Sequence, residues 1–241
     1  VARASLHNGD QIESLDVRIG DTVIIQKAGE IIPQVMSVDV ALRPKGTKPF
    51  RMPEACPACG GPVSARLRDP EKPELGFEAA LRCTNRKCPA QVKARIFYFS
   101  RRFAMDIENL GASLVDRLVD LGLLENVADL YKLDTATIAN LERMAEKSAQ
   151  NVVSSIAASK SQRLDRLLCG LGIPQVGQVA AKQLAQVMGS LETALAWKPS
   201  EFHEHVAGIH GFGPKMADAV VQFFADEDER ENPDTTAECY R

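Results

Sequence analysis

The stretch I-H-G-F-G-P-K-M-A, Ile209 to Ala217, decides how the second half of this chain folds. Its pattern is apolar, two variable, apolar, small, three variable, small. The pattern occurs three more times, as I-E-N-L-G-A-S-L-V from Ile107, L-E-R-M-A-E-K-S-A from Leu141 and I-P-Q-V-G-Q-V-A-A from Ile173. The copies start 34, 32 and 36 residues apart. Such a phrase describes a tight turn between two helices. The two apolar positions pack the inside of the hairpin. The small residue at the turn (Gly111, Ala145, Gly177, Gly213) lets a backbone or a phosphate approach, and the next helix begins at once. The later small residue (Ala149, Ala181, Ala217) lets the two helices cross closely; the first copy departs, with Val115 there. A helix N-terminus presents free N–H groups and partial positive charge, so the expected target is an anion. Four such turns imply a polyanion, and DNA is the foremost candidate.

The copies are not equivalent. Only the fourth has two glycines flanking its apolar residue, Gly211-Phe212-Gly213, followed by Pro214-Lys215. Proline suits a first helical turn and lysine adds a cation beside the anion, so this copy is the best phosphate-binding candidate. Lys147 stands in the second copy where Lys215 stands in the fourth. The competing reading is a helical solenoid that binds protein, since a 34-residue period also fits tetratricopeptide repeats. Against it, the W-x2-L-G-x2-Y texture is missing and the spacing wanders.

Upstream of the helices, Cys56-Pro57-Ala58-Cys59-Gly60 and Cys83-Thr84-Asn85-Arg86-Lys87-Cys88 form two close cysteine pairs. Four thiolates from two tight turns suit a closed tetrahedral Zn²⁺ site, with Zn–S near ~2.3 Å. The alternatives are two disulfides or a redox C-x-x-C, but no βαβ pattern surrounds the knuckle. The gap between the pairs holds R-D-P-E-K-P-E-L-G, expected to be an inserted loop. With no open ligand position, the metal is structural and holds together a module too small for its own core. Cys169, in L-L-C-G-L, reads as a buried core thiol, and Cys239 as incidental.

Residues 1 to about 50 read as short strands of a small β-barrel, with too few strands to close one. The fold class expected is therefore multidomain: a partial β-barrel, a small zinc finger and an all-α domain of tandem helix hairpins. The boundaries expected are 1–52, N-terminally incomplete, then 53–92, 93–228 for the four hairpins, and a divergent or truncated tail at 229–241.

Composition agrees with an ordinary soluble protein, 45% hydrophobic and 25% charged. No apolar run approaches a membrane span, and V-A-R-A-S-L-H-N is not a signal peptide. The net charge of −3 does not advertise nucleic-acid binding. Yet seven Arg or Lys and no acid lie between Arg82 and Arg102, the acidic tail from Asp226 to Glu231 reads as solvated, and backbone N–H groups bind phosphate without formal charge. His203-Glu204-His205 reads as a solvated helix face rather than a metal pair. Trp197 and Phe223-Phe224 read as core. Arg101-Arg102 reads equally as a DNA contact or a solvated face, and His210 as a phosphate contact or a turn filler.

These parts, in this order, resemble the C-terminal portion of the bacterial NAD⁺-dependent DNA ligases. The strings that carry the resemblance are A-S-L-H-N-G-D from Ala4, D-V-R-I-G-D-T-V-I-I-Q-K-A-G-E-I-I-P-Q-V from Asp16, C-P-A-C-G from Cys56, R-R-F-A-M-D-I from Arg101, L-E-R-M-A-E-K-S-A-Q-N-V from Leu141 and L-G-I-P-Q-V-G from Leu171. They span nearly the whole chain to about Phe224. The resemblance implies an OB-fold, a structural Zn²⁺ finger and a helix-hairpin-helix domain encircling nicked double-stranded DNA. It implies a bacterial, cytoplasmic, nucleoid-associated enzyme that seals nicks in replication and repair, using NAD⁺ and Mg²⁺ in its full-length form. By resemblance the DNA contacts are His7, Asn8, Arg18 and Lys27 on the barrel and Gly111, Lys147, Gly177, Gly211, Gly213 and Lys215 on the hairpins. The family's nucleophilic lysine lies in K-x-D-G, which does not occur in these residues. The N-terminal adenylation domain is therefore expected as a missing partner, no catalytic or NAD⁺-binding residue is expected here, and the chain alone is expected not to adenylate itself. Ser5 stands where the family usually has Thr. Ala145 replaces a turn glycine and is expected to weaken the second hairpin's phosphate contact. The family commonly carries a BRCT domain after this point; N-P-D-T-T-A-E-C-Y-R does not resemble one, and the expectation is a cut or a divergent end. The competing class is a helix-hairpin-helix repair scaffold without ligase activity.

Overall fold

The computed structural model describes residues 1–28, 32–67, 74 and 76–225, in two compact units divided between Cys88 and Pro89. Most of the expected inserted loop, the acidic tail and Cys239 lie outside the described residues.

The first unit holds two antiparallel strand pairs. Strand β1 (Val23–Ala28) pairs with β2 (Ile32–Val38), with a bulge between Ile24 and Ile25. Ser5 adds a short parallel bridge, its N–H donating to the Pro33 carbonyl at 2.7 Å and its carbonyl accepting from Val35 at 3.0 Å. Strands β3 (Val63–Leu67) and β4 (Phe77–Cys83) form the second pair. Two elements depart from the all-strand expectation: Val40–Leu42 form a short 3-10 turn, and Gly9–Ser14 form helix α1, because the Asn8 side chain accepts the Gln11 N–H at 2.9 Å and caps it. The core around β1 and β2 is thin. Val35 is the only buried apolar residue among those described in 1–52. Charge knits the loops instead. Arg43 donates to both Asp16 and Asp21, and Arg18 forks onto Asp16 at 2.7 and 3.1 Å. The Asp21 side chain is fully covered.

Among its described residues the second unit is helical, in α2 (Pro89–Phe99), α3 (Ala112–Asp120), α4 (Thr135–Ala139), α5 (Glu146–Ser159), α6 (Leu164–Gly170), α7 (Gln178–Met188), α8 (Leu191–Ala196), α9 (Pro199–Ala207) and α10 (Pro214–Ala225). Helices pair as α2 with α3, α4 with α5, α6 with α7 and α9 with α10, giving the four hairpins. One continuous core runs through them, from Ile96 and Phe99 to Val220 and Phe224. Cys169 lies in it, 2% exposed, and Trp197 packs against it. The hairpins are further joined in two similar pairs. Arg117, six residues after the first turn's Gly111, donates to the Glu142 carbonyl, three residues before the second turn's Ala145. Gln183, six after Gly177, donates to the His210 carbonyl, three before Gly213, at 3.1 Å. No helix among the described residues is long and apolar enough to cross a membrane.

Candidate metal centre and nucleic-acid interface

The two cysteine pairs meet. Cys56 and Cys59 lie on a tight turn closed by Gly60 N–H to Cys56 carbonyl and Cys56 N–H to Gly61 carbonyl, both 2.8 Å. Cys83 ends β4, and Cys88 closes a second turn on the Asn85 carbonyl at 3.0 Å. All four sulfurs lie within 4.8 Å of one another, with Cys56 to Cys88 at 3.9 Å and Cys59 to Cys83 at 3.6 Å. Four sulfurs at ~2.3 Å from one tetrahedral ion sit about 3.8 Å apart. A disulfide needs about 2.05 Å, so these distances fit a shared cation and not two disulfides. The Gly61 N–H and the Asn85 amide point at Cys59 Sγ, at 3.4 and 3.5 Å, and bring its thiol down to about 7. Burial and the neighbouring sulfurs push Cys83 up to about 12. Four thiolates so close repel one another, and a Zn²⁺ held by Cys56, Cys59, Cys83 and Cys88 removes that repulsion. Asn85 was not singled out from sequence; its place inside the C-x4-C turn was the available signal.

In the four hairpins, eight residues repeat one geometry. The inner apolar positions are buried: Ile107, Leu110, Leu141, Ile173, Val176, Ile209 and Phe212 at 9% exposure or less, with Met144 packed against the core. The residues at the crossing, Val115, Ala149, Ala181 and Ala217, are all 0% exposed. Each donates its N–H back to the carbonyl of its own turn residue, at 3.1, 3.0, 2.8 and 3.1 Å, closing the first helical turn. The turn residues Gly111, Ala145, Gly177 and Gly213 are exposed. Gly111, Ala145 and Gly177 cap their helices with no side-chain acceptor, whereas α1, α4 and α8 are capped by Asn8, Asp134 and Ser190. The first-turn N–H groups of α3, α5 and α7 therefore point outward without a capping side chain.

The expectation about Ala145 changes here. Its backbone, φ −77° and ψ 150°, is ordinary extended chain, as is that of Gly111 and Gly177. A Cβ at Gly111, Gly177 or Gly213 would meet nothing within 4 Å. The turn residue needs no glycine. The left-handed position lies two residues earlier, at Asn109, Arg143, Gln175 and Gly211, with φ of 63°, 62°, 66° and 87°. Only the fourth copy puts glycine there.

The other expected contacts divide. Lys147 and Lys215 are exposed second residues of α5 and α10; the third copy has Val179 at that place, 77% exposed. Lys27 is exposed on β1. His7 is exposed and bonds Gln34 through Nε2 at 2.8 Å. Asn8 is occupied as the α1 cap, and Arg18 in the Asp16 fork and a bond to the Thr47 carbonyl. Arg101 lies over the Phe97 ring, and the His210 carbonyl serves Gln183. His203 reaches Asp218 at 3.2 Å while His205 stacks on Trp197, so they do not converge on a metal.

A strand-pair domain, a four-thiolate finger and four helix hairpins, three of them with uncapped second-helix N-termini, define a protein of OB-fold, zinc-finger and helix-hairpin-helix parts. Comparison with protein families gives those parts names. Residues 1–47 match the NAD-dependent DNA ligase OB-fold domain, and residues 55–90 its C4 zinc finger domain. Residues 102–158 match a SAM-like helix-hairpin-helix tandem and residues 166–232 a helix-hairpin-helix motif. The DNA ligase of Methylacidiphilum infernorum is 45% identical over 231 residues, 95% of this chain and 31% of the relative. That of Lysinibacillus sphaericus is 45% identical, over 95% and 32%, and that of Carboxydothermus hydrogenoformans 44%, over 96% and 33%. The chain thus corresponds to the OB-fold, zinc-finger and helix-hairpin-helix portion of the NAD-dependent DNA ligases. It spans about a third of the length of these curated relatives.

Proposed function

We propose that this chain is the DNA-gripping portion of an NAD⁺-dependent DNA ligase and holds nicked duplex through its backbone phosphates. The observation that carries the reading is the four-fold repeat of one exposed turn, with helix N-termini that lack a side-chain cap at three of the four. Such groups bind phosphate and carry no base-reading chemistry, so they position a duplex without selecting its sequence. Gly111, Gly177, Gly211 and Gly213 lie at the approach, with Lys147 and Lys215 beside it. Ala145 serves as well as its glycine counterparts. On the barrel side Lys27 and His7 are the contacts that cost least to redirect, and Asn8 and Arg18 act with their internal partners in place.

The partner of the barrel is the adenylation domain of the full-length enzyme, which supplies the K-x-D-G lysine, NAD⁺ and Mg²⁺. Ile24, Ile32 and Met36 are 45% to 61% exposed on a two-stranded sheet, the kind of surface that another segment covers. The domain bounds at 1–52, 53–92 and 93–228, and a cytoplasmic, nucleoid-associated setting, belong to the same reading.

The test is a pair of measurements on the 241-residue chain. Fluorescence anisotropy with nicked and intact duplex of one sequence is expected to favour the nick; equal affinity points to a general clamp, and no binding to a protein-binding solenoid. Labelled adenylate from NAD⁺ is expected not to appear on the chain, and its transfer would refute the adenylation part.

A further inference from the structure

A cleft of about 400 Å³ opens on the helical unit between the turn after α2 and the start of α6. Arg102, Arg163 and Arg166 line it, with Gln162, Gln178 and a single carboxylate, Asp165. Three guanidinium groups face one acid. Two of them are already committed. Arg166 donates through Nε to the Ala104 carbonyl at 2.7 Å and through Nη2 to the Arg102 carbonyl, and lies 3.7 Å from Asp106. It therefore pins the 102–104 backbone and fixes where Arg102 begins. Arg163 forks onto Asp165 at 2.9 and 2.7 Å; its side chain is 72% exposed while that of Asp165 is 16% exposed. A guanidinium has five N–H donors, so Arg163 keeps others for a group arriving from solvent. Arg102 has no hydrogen-bond or ion-pair partner for its guanidinium among the described residues. The far wall is Gln178, the first residue of α7 and next to the third turn's Gly177.

We infer that this cleft is a phosphodiester-binding site separate from the four hairpin turns, in which Arg102 and Arg163 grip a backbone phosphate of the duplex whose neighbouring phosphate lies at the third turn. This rests on the proposed DNA-gripping function. Arg102 and Arg163 are the contacting residues. Arg166 is a positioning residue that holds the Arg102 backbone, and Asp165 is the rest that aims Arg163 while leaving donors outward. The cleft adds cations beside the third turn, where the second helical residue is Val179 and α5 and α10 carry Lys147 and Lys215. Its cations come from the 102 turn and the residue before α6.

The test replaces Arg102 and Arg163 separately by Gln, which removes charge from exposed side chains and leaves Arg166 intact. Binding of a duplex is titrated from 0.05 to 0.3 M salt, with Lys132→Gln as a charge-removing control outside the cleft. Each cleft variant is expected to lower the slope of log affinity against log salt by about 0.9, and to weaken binding about eightfold at 0.1 M, with unrelated sequences affected alike. The control is expected to leave both readings near those of the unaltered chain. Unchanged slopes for Arg102→Gln and Arg163→Gln overturn the cleft while the hairpin reading stands. An equal loss in the control overturns it too, because net charge then accounts for the effect. If the unaltered chain binds no duplex, the proposed function and the cleft fail together. Circular dichroism of each variant separates loss of contact from loss of fold.

Discussion

Gly177 and Gly211 sit in neighbouring hairpin turns and should respond oppositely to the same added methyl group. Gly177 has φ −88° and ψ −174°, and no atom lies within 4 Å of a Cβ built on it. Alanine there restricts the unfolded chain, a gain of about 0.4–1 kcal/mol. It is also a poorer helix cap than glycine, a loss of similar size. The net change expected is within about 0.5 kcal/mol. Gly211 has φ +87°, where an L-residue is strained, so alanine there should cost more than about 1 kcal/mol. The single tryptophan, Trp197, packs edge-on to Phe202 of α9 at 5.4 Å and reports on this core. Urea unfolding followed by its fluorescence gives both values. A loss above about 1 kcal/mol for Gly177→Ala, or none for Gly211→Ala, would refute the assignment of the left-handed position. The same variants separate fold from contact. Gly177→Ala should leave duplex binding near that of the unaltered chain, as Ala145 fills the same place in the second turn, and a marked loss of binding would show that the turn needs a bare backbone.

Further outcomes follow from the same geometry. Zinc analysis should give one ion per chain, and chelation should loosen the first unit while leaving the helical signal of residues 89–225 nearly unchanged; loss of most helicity would contradict that. Ala217→Leu places three extra carbons at a fully buried crossing of α9 and α10 and should cost about 1–3 kcal/mol by urea unfolding, with a neutral result denying the close approach. Asp16 is held down to about 2, from 3.8, by the Arg18 and Arg43 side chains. Its folded pKa is depressed, so its stabilisation is present above about pH 4 and lost as pH falls toward 2. Asp16→Asn should therefore flatten the acid-unfolding curve in that window, and an unchanged curve would exclude the network as a source of acid sensitivity.

The hairpins were legible because their requirements are steric. A buried crossing admits only Ala149, Ala181 or Ala217, or Val115 where the helices allow it, and the inner face must be apolar; both leave marks at fixed spacing. The left-handed positions left no common mark. Asn109, Arg143 and Gln175 are three different polar residues, and the strain each bears is small enough for the hairpin to absorb, so attention fell on the conspicuous glycine two places later. In the barrel segment, Asn8 before Gly9-Asp10-Gln11 was a legible cap, but the β-branched run that follows it masked the helix. Arg18 is a DNA contact by resemblance alone, and its internal partners left no mark in the sequence. Asp16 and Asp21 are near in sequence, but Arg43 joins them only through the fold. The cysteine knuckles could be assigned to one ion because thiolate spacing is dictated by the ion's own geometry.

The central claim, that repeated helix N-termini grip a polyanion through its phosphates, is tested most directly by the salt dependence of duplex binding by the intact chain. One or two phosphates at each of four turns predict a slope of log affinity against log salt between about −4 and −7, the same for duplexes of unrelated sequence. A slope near zero, or affinity that follows base sequence, would contradict it.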